Sequence, residues 1–150
     1  AFSFLQGQQA IVLSSQPLAP QNYTFNIQPY LWHKGVPQAA TYTFGDPSIT
    51  GISHVLLPDS NSLLVWQGKR LLVISKPIKT QPLPDFKVDY LLLTQNVRVK
   101  PEELQPFRFE QLVLDASNAP WYLQRLKPQL VEAGISFYDV TEQGALVVDL

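Results

Sequence analysis

The residues that could do chemistry are few and scattered. A hydrolytic metal site needs several imidazoles or carboxylates converging on one ion, and a paired-metal site needs more. The chain holds only His33 and His54, far apart and in no H-x-H or H-E-x-x-H arrangement. They read as a helix-end histidine and a strand or loop histidine. Cysteine is absent, which excludes disulfide scaffolds, thiol catalysis and cysteine-ligated zinc. No G-x-S-x-G occurs, and Ser117 stands in Asp115-Ala116-Ser117-Asn118, so no nucleophile elbow is marked. Gln67-Gly68-Lys69 offers one glycine where a phosphate-cradling loop needs several. The carboxylates are dispersed, and no pair takes acid and base roles from its spacing. These residues predict no metal, no cofactor and no small-molecule substrate.

Two local groups stand out. Lys69, Arg70, Lys76 and Lys79 lie close in sequence to Trp66, an aromatic that could stack on a base. Lysines on and after a hairpin also guard an edge strand against stray pairing. Eleven basic against twelve acidic residues give a net charge of -1, which excludes a strongly basic nucleic-acid module. Any contact of this group with single-stranded DNA is therefore expected to be weak and salt-sensitive. The second group is Asp115, Ser117, Asn118 and Trp121, expected to form a structural junction. Ser117 and Asn118 are short polar residues suited to capping a helix, and Trp121 would fold its indole over the sheet edge. The alternative is a ligand pocket at the carboxyl ends of the strands.

The elements that must position these groups follow from patterning. A chain of 150 residues that is 45% hydrophobic and 15% charged can fill a core and argues for one domain. Gln9 to Ser14, Val88 to Thr94 and Gln111 to Asp115 are continuous apolar runs, and the last two fit inner strands of an α/β sheet. Ser62 to Gln67 and Arg70 to Ser75 flank a turn at Gly68-Lys69 and predict a hairpin. Ser136 to Val140 and Ala145 to Asp149 predict a second around Glu142-Gln143-Gly144. Lys76 to Phe86 reads as a loop. One helix is expected from Asn118 to Gly134, with Tyr122, Leu126 and Leu130 on one stripe, and Pro128 argues for a distortion. A second is expected from about Asn22 to Lys34, opposed in the same way by Pro29. The fold class predicted is α/β of the mixed α+β kind, a mixed sheet with flanking helices. No window approaches the roughly 20 apolar residues of a membrane-spanning helix. The chain opens at Ala1 without an initiator methionine, and reads as a soluble C-terminal fragment of something longer.

One longer pattern carries a resemblance. Asp89-Tyr90-Leu91-Leu92-Leu93-Thr94-Gln95-Asn96 is followed by Leu112-Val113-Leu114-Asp115-Ala116-Ser117-Asn118, then Trp121, Gly134-Ile135, Tyr138-Asp139-Val140 and Gly144-Ala145-Leu146-Val147. This resembles the C-terminal domain of ComEC-type competence proteins, in the branch found in Bacteroidetes-like bacteria. Gln6-Gly7-Gln8-Gln9-Ala10-Ile11 looks like the opening G-Q-G-D-A strand of their metallo-β-lactamase-like domain, with Gln9 where aspartate is usual. Tyr30 to Val36 looks like the end of its first helix. Asn61-Ser62-Leu63-Leu64-Val65 with Gly68 to Ile74 looks like its central N-x-S-x-V hairpin.

The resemblance implies a multi-spanning inner-membrane parent that takes up single-stranded DNA, with this domain on the periplasmic side. It also implies three metal-contributing segments, and all three depart from the pattern. Gln38 to Phe44 has nothing like H-x-H-x-D-H, Ser75-Lys76 replaces Gly-Asp, and Thr94-Gln95-Asn96 stands where a histidine belongs. The expectation is a shortened, degenerate metallo-β-lactamase-like domain without hydrolysis, docking on the remainder of its parent. The competing expectations are a metal-dependent nuclease or phosphodiesterase with unrecognised ligands, and a free-standing binding module.

Overall fold

The expected hairpin at Gly68 forms because two consecutive residues take up the left-handed backbone its turn requires. In the computed structural model, strands β5 (Ser62–Trp66) and β6 (Lys69–Ile74) pair antiparallel, with Trp66 opposite Lys69. Gln67 and Gly68 between them have φ of 47° and 77°, the pair of positive values that matches the twist of a two-residue hairpin. The structure describes residues 1–14, 16–79, 81–82 and 84–147. Contacts divide the chain into two compact units, Ala1–Ile52 and Ser53–Leu150, and each is described by itself.

The second unit is a six-stranded mixed sheet in the order β4-β5-β6-β7-β8-β9. Here β4 is Ser53–Leu56, β7 Lys87–Leu93, β8 Arg108–Leu114 and β9 Phe137–Asp139. β4, β5 and β6 run antiparallel, whereas β6 through β9 are parallel. The runs at Val88 and Gln111 are inner strands, as expected, and Leu91 to Leu93 and Leu112 to Leu114 are all buried. Parallel neighbours need a crossover. Between β8 and β9 it is α4 (Pro120–Glu132), which buries Tyr122, Leu123, Leu126 and Leu130 in the same core as the strands. α4 continues through Pro128. Pro128 and Gln124 are both exposed, so water can serve the carbonyl that proline leaves without a donor. The short α3 (Pro101–Leu104) lies between β7 and β8. The described residues of the Lys76 to Phe86 stretch form no helix or strand, as expected; Thr80 and Leu83 lie outside the described residues.

The second hairpin expected from the sequence is corrected. β9 pairs parallel with β8, and the chain then turns into α5 (Val140–Gln143). The reason is local: the Asp139 carboxylate accepts from the Thr141 amide at 2.8 Å and caps that turn, so Glu142-Gln143 sit in a helix instead of a β-turn. Ala145 to Val147 form no strand, and residues 148–150 lie outside the described residues.

The first unit holds a three-stranded sheet in the order β1-β2-β3, with β1 Phe2–Gln6, β2 Gln9–Ser14 and β3 Ala39–Thr43. β2 is antiparallel to β1 and parallel to β3. The helix expected over Asn22 to Lys34 divides into α1 (Pro20–Asn22), a π-helical segment (Tyr23–Ile27) and α2 (Gln28–His33). Pro29 has no amide to continue an α-helical ladder, and the wider turn falls just before it. Ile27 and Leu31 pack with Ala10, Val12 and Val36 to fill this unit's core. The fold is thus mixed α/β, with two mixed sheets and few helices, in keeping with the predicted class.

Candidate functional site

The parallel strands of the second unit end in step. Ile74 pairs with Leu93, Leu93 with Leu114, and Leu114 with Asp139. The residues that follow therefore line up along one edge, where open α/β sheets usually hold their ligands. Here that edge is bound to itself. Asn61, fully buried, accepts from the Ser75 and Lys76 amides, each at 2.9 Å, and donates to the Lys76 carbonyl at 3.1 Å. The Thr94 amide and hydroxyl both donate to the Ile74 carbonyl, at 3.1 and 3.3 Å. Asn118 donates to the carbonyls of Leu93 (2.7 Å) and Asp115 (2.9 Å) and accepts from the Asn96 amide at 2.9 Å. Asn96 in turn accepts from the Ala119 amide at 2.6 Å, and Ser117 accepts from the Gln95 amide at 2.9 Å. Gln95 and Asn96 have φ of 56° and 55°, a left-handed pair held open by Ser117 and Asn118.

The sequence analysis expected Asp115, Ser117 and Asn118 to meet, and they do. Their bonding corrects the capping expectation: α4 is preceded by Ala119 without a capping side chain, and Ser117 and Asn118 serve the 95–96 loop instead. Trp121 is corrected as well. It stays 55% exposed, edge-on to Tyr122 with ring centres 6.0 Å apart, and the Arg125 guanidinium lies over it at 5.8 Å. The sheet-facing stripe of α4 starts at Tyr122, so Trp121, one residue earlier, falls on the helix flank. Tyr122 takes the buried place and donates its hydroxyl to the Val97 carbonyl. Burial pushes its phenol upward in pKa, against the Val99 backbone and the Arg98 charge. The missed residues are Asn61, Thr94 and Asn96. The signal was available, because each is a small polar residue within three positions of an apolar run.

The basic group at the hairpin is drawn apart. Lys69 and Arg70 open β6, whereas Lys76 and Lys79 follow its far end. Five steps of strand at about 3.3 Å each separate Lys69 from Ile74, about 17 Å. Lys69 pairs with Asp89 at 3.3 Å, and the Arg70 amide donates to the same carboxylate at 2.7 Å. The bond from Asp89, then its charge, raises the Lys69 pKa. For Asp89, burial pushes upward but is outweighed by the Arg70 amide and the Lys69 ammonium, so its carboxyl titrates lower than usual. Lys76 and Lys79 are exposed, and Trp66 is half-buried at the end of β5.

Two of the segments that the resemblance assigns to a metal site, Ser75-Lys76 and Thr94-Gln95-Asn96, are engaged within the chain. The Thr94 hydroxyl and the Asn96 amide oxygen are engaged with the Ile74 carbonyl and the Ala119 amide, and Ser75-Lys76 is held by Asn61. Among the described residues, no three histidine, aspartate or glutamate side chains converge to hold a metal. His54 bonds Ser62 Oγ through Nε2 at 3.1 Å, and His33 is exposed at the end of α2. Asp139 is buried, with its carboxylate paired to Lys127. No helix among the described residues is long and apolar enough to cross a membrane.

No curated protein matches the chain. A model of the family described as the ComEC C-terminal domain matches residues 1–150.

Proposed function

The chain belongs to the ComEC C-terminal domain family, which ties it to a larger ComEC-type protein and to competence DNA uptake; from that premise we propose that it is a non-catalytic docking domain. Its role is structural: it packs on the remainder of the parent, on the periplasmic side of the inner membrane. The observation that supports this reading is the carboxyl edge of β6 to β8. Two of the segments from which a metallo-β-lactamase-like nuclease would recruit its ion carry Ser75-Lys76 and Thr94-Gln95-Asn96, which hold no imidazole or carboxylate and are bonded within the chain. Such a set lacks the imidazoles and carboxylates that bind a divalent ion and activate a water.

The test uses the parent protein in a transformation assay. Removing this domain should abolish uptake, whereas His33→Ala, His54→Ala and Asp115→Asn should leave a folded parent's transformation frequency unchanged. Stoichiometric zinc or manganese in the purified chain, with DNA hydrolysis lost on chelation, would instead establish the nuclease reading.

A further inference from the structure

From the helical stretch of the first unit we infer a contact with a phospholipid surface, in which Phe25 and Trp32 enter the headgroup region and Lys34 meets lipid phosphate beside them. This goes beyond the docking reading and takes from it only that a bilayer lies near the chain.

Residues 20–33 are anchored on one side by Ile27 and Leu31, which pack with Ala10, Val12 and Val36. The other side carries Phe25 at 77% and Trp32 at 60% exposure, with exposed Pro29 between them. Seven residues make close to two turns, so both rings stand on one flank, about 10 Å apart along the axis. Two large aromatics left in water on one element, with a core behind it, form an apolar patch of the kind that marks an interaction surface. The charge pattern selects lipid as the occupant. The first unit has one lysine, Lys34, and one aspartate, Asp46, and every other Lys, Arg, Asp and Glu lies in the second. The exposed neighbours of the two rings are amides and a hydroxyl (Gln21, Asn22, Thr24 and Asn26), and no carboxylate precedes Asp46. Such a face meets anionic headgroups without repulsion and takes no charge out of water as it enters them. Lys34 is exposed at the end of α2, its ammonium 5.9 Å from the centre of the Tyr30 ring. Its flexible stem lets the ammonium stay at the phosphate layer while the rings go deeper, the arrangement of interfacial helices. Tryptophan is also a side chain that bilayer interfaces enrich. A protein partner is the poorer fit, because a face with one cation offers little charge complementarity to fix its register.

The test is co-sedimentation of the purified chain with vesicles of phosphatidylcholine and phosphatidylglycerol in equal parts, at low salt. Phe25→Gln and Trp32→Gln should each weaken partitioning about 5-fold or more, because the transfer of one aromatic ring out of water is lost. Lys34→Gln should weaken it about 5-fold on these vesicles and change little on phosphatidylcholine alone. Trp121→Ala, which removes an exposed indole from the second unit, should change little. Trp32→Phe should keep the partitioning, yet lose the fluorescence quenching that lipids brominated on their acyl chains cause in the native chain. Melting temperature serves as the folding control, because exposed side chains contribute little to stability. Absence of vesicle binding would overturn the inference. So would partitioning unchanged in both glutamine variants, a loss that follows Trp121→Ala equally, or quenching that persists in Trp32→Phe. If the glutamine variants lost capture of a protein segment of the parent while vesicle binding was unchanged, the face would be a protein interface and the inference wrong. Failure of the docking reading is distinguishable, because that reading is judged by transformation after domain removal and this one by partitioning of the chain onto lipid.

Discussion

Asn96 and Asn118 tie their two turns together through crossed side-chain-to-backbone bonds. The Asn96 amide donates to Asn118 Oδ1 at 2.9 Å, and Asn96 Oδ1 accepts at 2.6 Å from the amide of Ala119, the residue next to Asn118. The exchange clamps the turn after β7 to the turn after β8, and Asn118 extends the clamp inward to the Leu93 and Asp115 carbonyls. A sheet edge closed in this way is held by neutral side chains bonded to backbone.

Asn118→Ala should destabilise the chain by about 1–3 kcal/mol, because it strands the part-buried Asn96 amide and takes one of two donors from each of the Leu93 and Asp115 carbonyls, which keep the backbone amides of Asp115 and residue 118. Trp121→Ala should cost under about 0.5 kcal/mol, the usual range for an exposed site. Urea denaturation of both variants checks the order. A larger loss for Trp121→Ala would mean that the indole is an element of the core.

Asn61→Ala should also cost about 2–3 kcal/mol, since Ser75 and Lys76 lose their shared acceptor. Asn61→Asp is the sharper test. The aspartate keeps the acceptor but loses the donor to the Lys76 carbonyl and brings a charge into a fully buried site. It should destabilise at neutral pH and recover partly as acid protonates it. Equilibrium unfolding at two pH values reads this directly.

The patterned elements were legible in the sequence because periodicity reports burial. The inner strands at Val88 and Gln111 read as continuous apolar runs, and the hairpin announced itself at Gly68. β1, β3 and β4 gave no such run; β3 (Ala-Ala-Thr-Tyr-Thr) and β4 (Ser-His-Val-Leu) have no fully buried residue. The Asp115–Asn118 junction was legible as a set of residue types, whereas its bonding was not. Caps and cross-strand clamps use the same short polar residues, and only the register of β7 against β8 brings Asn96 to Asn118. Trp121 was misplaced by giving hydrophobic size more weight than the stripe that begins at Tyr122.

Purified chain dialysed against zinc or manganese should retain well under one equivalent of metal, and should leave both single- and double-stranded DNA intact. The engaged side chains of Thr94, Asn96 and Asn61 are the reason. Elemental analysis together with a gel-based nuclease assay checks it.

The Asp139–Lys127 pair should give the chain a defined pH dependence. Asp139 is buried and its carboxylate meets Lys127 and the amide and hydroxyl of Thr141, with Glu142 also on Lys127 at 2.8 Å. Burial alone would raise the Asp139 pKa, but the Lys127 and Thr141 bonds outweigh it and the net shift is downward. A depressed carboxylate contributes stability that is fully present above its unfolded value, about 3.9, and is lost as pH falls through the lower folded value. For Lys127, desolvation lowers the pKa and the two carboxylates more than restore it. Its contribution is therefore full below the unfolded value of about 10.4 and fades as pH rises through the folded one. Asp139→Asn keeps an oxygen for the Thr141 amide but removes the charge and the acceptor that meets Lys127, so it should cost about 1–2 kcal/mol between about pH 5 and 9. The difference between native chain and variant should shrink below about pH 4 and again above about pH 10, as one partner of the pair loses its charge. Urea unfolding across that range measures the gap, and a gap that stays constant down to about pH 2 would show that the bond's charge contributes nothing.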